Sequence, residues 1–80
     1  MTSSVASKKL SLRQRFAKNL RAERLRLGIS QERLSELAGC HRTYVSQVER
    51  GVQNIALDNV EKLAIALGVD AAELLGFVKD

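Results

Sequence analysis

Four side chains within six residues carry more hydrogen-bonding capacity than a helix needs for its own folding: Arg42, Thr43, Ser46 and Gln47. On a helix, residues three and four apart share a face, so this spacing gathers the four groups on one side. Arginine's planar fork matches two acceptors lying side by side, the pattern that guanine O6 and N7 offer. Gln47 suits adenine or, less selectively, another base edge. Thr43 can meet a thymine methyl or a phosphate, and Ser46 is short enough to let a partner approach closely. Together these groups have the chemistry for reading base edges in the major groove of duplex DNA, which admits one helix. The plainer alternative is a solvated helix face.

The neighbouring residues extend the pattern. Gln31 opens the preceding helical segment, where unpaired backbone N–H groups favour a phosphate, so its amide is expected to position the chain and not to read sequence. Arg50 precedes a glycine and either contacts phosphate or satisfies the helix C-terminus. Glu49 either pairs with a basic residue of the first helix, Arg24 being the candidate, or faces solvent. Cys40 and His41 do not make a nucleophile and its base: adjacent residues lack the required orientation, and no third group completes the set. Cys40 reads as a small packing residue in a turn, redox sensing being the alternative. His41 is the natural cap of the next helix, or a phosphate contact. No glycine-rich phosphate loop and no metal-ligand spacing occurs, so no cofactor, metal or catalytic site is expected.

The elements that must hold these residues are legible from periodicity and stop signals. Ser11 caps a first helix running to about Leu27, with Gly28 as its stop. Its stripe is Phe16, Ala17, Leu20 and Leu27, with Arg24 at the edge. Ser30 caps a second helix, Gln31 to Ala38, whose inner face is Leu34, Leu37 and Ala38. Gly39, Cys40 and His41 then separate it from a third, Arg42 to Arg50, with Val45 and Val48 inward and Tyr44 near the edge. A glycine-containing turn this short makes two helices cross steeply, as in a helix-turn-helix spanning residues 30–50. Residues 52–56 form a loop with Ile55 tucked inward. A fourth helix covers Leu57 to Leu67, burying Val60, Leu63, Ala64 and Leu67. Asp70 and Glu73 have capping-box spacing and begin a fifth, short helix ending near Leu75.

Eighty residues allow one small core and leave no room for a separate effector domain. With 45% hydrophobic residues and no proline the chain is not disordered, and helix formers dominate, so the fold class is all-α. A single cysteine excludes an internal disulfide, and the apolar runs are too short to span a bilayer. With no signal-peptide core after Lys8 and Lys9, a cytoplasmic chain is expected. Residues 1–28 hold eight Lys/Arg against one acid, net +7, while the remainder is −3. That asymmetry fits a polyanion along one surface, or else a helix kept soluble by its charge; a membrane-surface helix is disfavoured by the lack of tryptophan. Residues 1–10 are small and polar, the composition of a flexible arm, leaving 11–80 as the folded domain.

The segment Ser30-Gln-Glu-Arg-Leu34-Ser-Glu-Leu-Ala38-Gly39-Cys-His-Arg-Thr-Tyr-Val-Ser-Gln-Val-Glu-Arg-Gly51 resembles the Cro/C1-type (Xre) helix-turn-helix family, and Leu63-Ala-Ile-Ala-Leu-Gly-Val69 resembles its following helix. Arg42-Thr-Tyr-Val-Ser46 with Glu49-Arg50-Gly51 is similar to the small controller proteins of restriction-modification systems. The resemblance covers about residues 12–76. It implies a compact five-helix, lambda-repressor-like DNA-binding domain with Gln31 on phosphate. Base readout then falls on Arg42, Thr43 and Gln47, with Tyr44 and Ser46 near the backbone. It also implies a homodimer on paired operator half-sites, and contact with RNA polymerase when the protein activates. The loop Gln53-Asn54-Ile55-Ala56 lacks the proline-serine often found before the fourth helix, and His41 replaces a small polar cap.

Candidate dimer residues are Ile65, Leu74, Phe77 and Val78, with ordinary core or chain-end packing as the alternative. A homodimeric regulator of transcription is the leading expectation, with no small-molecule effector. A phage-type repressor or antitoxin shares the DNA chemistry, but the latter needs a toxin-binding extension that is not evident. A protein-interaction adaptor built on the same motif is the alternative from a different class.

Overall fold

Helix starts in this chain are set by side chains that satisfy the first free backbone N–H groups. Ser11 Oγ accepts from Gln14 N–H at 3.1 Å while Gln14 Oε1 accepts from Ser11 N–H at 2.8 Å, a reciprocal box. Ser30 Oγ accepts from Arg33 N–H, and His41 Nδ1 accepts from Thr43 N–H at 3.0 Å. Asp70 and Glu73 form a second reciprocal box. Among the described residues, Ala56 alone heads a helix without a side-chain cap. The computed structural model describes residues 10–78 and contains α1 (Leu12–Arg26), α2 (Gln31–Ala38), α3 (Arg42–Glu49), α4 (Leu57–Leu67) and α5 (Ala71–Leu75). Apart from Leu10, the arm expected over residues 1–10 lies outside the described residues.

The five helices enclose one core of Phe16, Leu20, Leu34, Val45, Val48, Val60, Leu63, Ala64, Leu67 and Leu74, with Ile29, Tyr44 and Ile55 packed at its margin. Helix α2 lies against α3 and α4, and α5 returns to α1, so the first and last helices close the domain. Buried Asn19 secures that closure: its Nδ2 donates to Leu74 O at 3.1 Å and Gly76 O at 3.0 Å, satisfying carbonyls that α5 leaves open. Among the described residues no helix is long and apolar enough to cross a membrane.

Four expectations are corrected. Leu27 is not in the stripe of α1 but 42% exposed, because the helix has ended at Arg26 and Ile29 takes the inward place after the turn. Arg24, placed at the edge, is buried. Leu37 is 46% exposed, since α2 presents Leu34, Ser35 and Ala38 inward, an arc of roughly 100° that excludes position 37. Ser35 tolerates burial by donating its hydroxyl to Glu32 O at 2.6 Å. Leu74 is wholly buried beneath α1 and α4, so it is a core residue and has no surface to offer a second chain.

Candidate nucleic-acid interface

The turn between α2 and α3 determines what α3 can present. Gly39 adopts φ +72°, a left-handed conformation that costs a side-chain-bearing residue roughly 1–2 kcal/mol. Cys40 N–H then reaches back to Ser35 O at 2.9 Å, and His41 begins the next helix at once. With Val45 and Val48 in the core, α3 is held by one side and its opposite side is fixed toward solvent.

On that side Arg42 and Thr43 are exposed, and Ser46 and Gln47 are half-buried. Arg42, Thr43 and Ser46 join Gln31 of α2 around an open notch of about 200 Å³. The four walls are all polar and none is acidic, which suits an anionic, hydrogen-bonding partner. Gln47 is not part of this notch but lies one residue further along the same helix. Arg50 is exposed just past the end of α3. The last carbonyls of that helix are met by backbone, Gly51 N–H to Val48 O and Val52 N–H to Gln47 O, so its guanidinium is not needed as a C-terminal cap. Arg50 borders a second recess with Lys18 and Gln14 of α1. Tyr44 is half-buried, and its hydroxyl accepts from Asn59 Nδ2 at 3.0 Å.

Gln31 connects the notch to a buried ion pair. Arg24 of α1 donates through Nε to Glu49 Oε2 at 2.6 Å and through Nη2 to Oε1 at 3.0 Å, with the two side chains 9% and 2% exposed. The Glu49 hydrogen bond holds the Arg24 guanidinium's pKa above its ordinary value, against the opposing effect of burial. Arg24 Nη1 also donates to Ile29 O at 2.8 Å, and Gln31 Nε2 donates to Glu49 Oε1 at 3.1 Å. The expected pairing of Glu49 with Arg24 is therefore present. Its link to Gln31 was not foreseen, nor was the Asn59–Tyr44 bond. Both join residues 18 and 15 apart in different helices, beyond the reach of any helical periodicity.

Cys40 packs at the core margin. Burial pushes its thiol up from the usual value, only partly offset by Lys62, which opposes the low-pKa state that a redox sensor needs. Ile65 is 73% and Phe77 54% exposed, while Val78 is half-buried. The Arg15 guanidinium lies over the Phe77 ring, 5.6 Å from its centre.

Fold and site define a DNA-binding helix-turn-helix domain. The helix-turn-helix family model matches residues 20–74. Control protein C.BamHI of Bacillus amyloliquefaciens is 44% identical over 68 residues, 84% of either chain. A hypothetical transcription factor of Neisseria meningitidis serogroup B is 55% identical over 64 residues, 80% of this chain and 60% of its own length. The crystal structure of the Neisseria factor superposes with a TM-score of 0.82 at 52% identity, covering 84% of this chain and 77% of the other. The restriction-modification controller protein C.AhdI from Aeromonas hydrophila superposes with a TM-score of 0.75 at 45% identity, covering 78% and 90%. The chain belongs to the Cro/C1-type (Xre) helix-turn-helix family and is closely related to the restriction-modification controller proteins. It is a sequence-specific DNA-binding regulator, from a family that is not enzymatic.

Proposed function

We propose that this chain is a cytoplasmic, homodimeric controller protein that binds a palindromic operator and governs genes of a restriction-modification system. The observation that carries this reading is the open polar notch between α2 and α3, walled by Gln31 of α2 and by Arg42, Thr43 and Ser46 of α3, a helix whose other side is buried. Arg42, Thr43 and Gln47 read base edges in the major groove. Gln31, His41, Tyr44, Ser46 and Arg50 hold the sugar-phosphate backbone or support the residues that do. The similarity to C.BamHI and C.AhdI supports the restriction-modification setting.

One α3 spans only a few base pairs, so two copies related by a two-fold axis supply the needed specificity, with half-sites about 34–36 Å apart or a multiple. Residues 11–80 then combine the reading helix with a dimer surface at their C-terminal end, made by exposed Ile65 and Phe77 with Val78 at the edge. Activation requires contact with RNA polymerase bound beside the operator.

Selection of sites from random duplex DNA tests the proposal. A short inverted repeat is expected. Arg42→Ala should weaken binding to it by about 1–3 kcal/mol and relax preference at one guanine per half-site. Failure to enrich any motif, with weak binding that vanishes in moderate salt, would instead indicate a domain that recognises protein.

A further inference from the structure

We propose that Glu49 is a positioning residue for DNA docking: one buried carboxylate anchors the Gln31 amide and ties it to the reading helix. The inference rests on the reading of Gln31 as a phosphate contact. Glu49 belongs to α3, accepts two hydrogen bonds from Arg24 of α1, and accepts a third from Gln31 at the start of α2. All three helices of the DNA-binding face therefore converge on one side chain that is 2% exposed.

The orientation of the amide follows from donor and acceptor chemistry. A carboxylate only accepts, so Gln31 must turn its NH₂ toward Glu49. One N–H is engaged there, and the second is left for the notch that Gln31 shares with Arg42, Thr43 and Ser46. A long glutamine side chain otherwise loses much rotamer freedom on being ordered, which weakens binding. Here the ordering is done before DNA arrives. The fork of Arg24 fixes the carboxylate in turn, because its two N–H groups occupy both oxygens. Through Glu49, the position of the backbone-holding group is set relative to that of Arg42 seven residues earlier on α3. The network sets the distance between a phosphate contact and a base contact.

The test is a double-mutant cycle on the whole chain, read by fluorescence anisotropy on the selected operator at fixed salt. Arg24→Met with Glu49→Leu removes the anchor while avoiding an uncompensated buried charge. Gln31→Ala alone should weaken binding about three- to tenfold, the scale of one hydrogen bond. The Met/Leu pair should weaken it similarly when Gln31 is intact, and by less than about twofold when combined with Gln31→Ala. Losses that simply multiply, or a Met/Leu pair that binds as wild type, would overturn the inference while leaving Gln31 on phosphate. No effect of Gln31→Ala would remove that reading and the inference with it. Absence of operator binding by the wild-type chain would instead sink the proposed function. Should the Met/Leu pair fail to fold, NMR of the unmutated, DNA-free protein decides: an ordered Gln31 side-chain amide with one slowly exchanging proton supports anchoring, and free averaging overturns it.

Discussion

The Arg24–Glu49 pair shows how much depends on single side chains in a domain of this size. Two charges withdrawn from water attract each other strongly, yet removing either leaves the other buried and unpaired, which costs roughly 3–5 kcal/mol. Small domains have only about 5–15 kcal/mol in total. Glu49→Ala is thus expected to lower stability by about 3–5 kcal/mol in urea denaturation, a large share of that margin. A loss below about 1 kcal/mol would mean that the carboxylate is replaceable by water. The Asn59–Tyr44 bond is half-buried and neutral, so Asn59→Ala should cost only about 1 kcal/mol in the same assay. Cys40 makes a kinetic prediction. Its folded thiol has a raised pKa, so less thiolate exists at any pH near 8 than in an exposed cysteine. Alkylation of the native chain should be slower than that of the denatured chain and should accelerate as pH rises. Equal rates would show that burial does not protect it.

At the scale of the element, capping explains both where helices start and where one is weakly started. Helix α4 begins at Ala56, in extended geometry but with no side chain to accept from the first turn. This is also where the loop departs from the proline-serine pattern of similar chains. Ala56→Ser should restore an acceptor and raise stability by about 0.5–1 kcal/mol, visible as a higher Tm; an unchanged Tm would show that the first turn is already satisfied by other means. Gly39 tests the opposite direction. A Cβ built there meets nothing within 4 Å, so Gly39→Ala has no clash to resolve and its penalty is purely that of left-handed backbone, about 1–2 kcal/mol. Because this turn sets the angle of α3, operator affinity should fall alongside stability. Helix boundaries themselves were readable in advance to within a residue or so, since Ser11, Ser30, Asp70 and the glycines act locally. The inward faces were less so: Leu37 has the right chemistry for a core but the wrong rotation once α2 lies against both α3 and α4.

Across the whole molecule, charge is distributed unevenly. Most of the basic residues precede Gly28, and Lys18 lies beside Arg50 at the recess between α1 and the end of α3. If that flank follows the DNA backbone, Arg50→Ala should reduce the slope of log affinity against log salt by about 1 and leave the selected motif unchanged. A changed motif with an unchanged slope would make Arg50 a base-reading residue. Among the exposed apolar side chains outside that basic segment are Ile65 on α4 and Phe77 after α5. Ile65→Glu is expected to shift the protein toward monomer in sedimentation and to weaken operator binding without altering the melting of the isolated fold.

Local chemistry in the chain was enough to determine the all-helical class, the five helices with their caps and stops, the steep turn at Gly39 and the residues offered by α3. Each of these depends on neighbours a few positions apart, and such interactions are carried by spacing and residue type alone. Tertiary structure decided which leucines are core and which are surface, placed Leu74 inside and not at a partner, and brought Gln31, Arg24 and Glu49 together. Those outcomes depend on how helices distant in sequence rotate and close against one another. Burial and hydrogen bonding across that distance are properties of the packed assembly, and no single helix contains them.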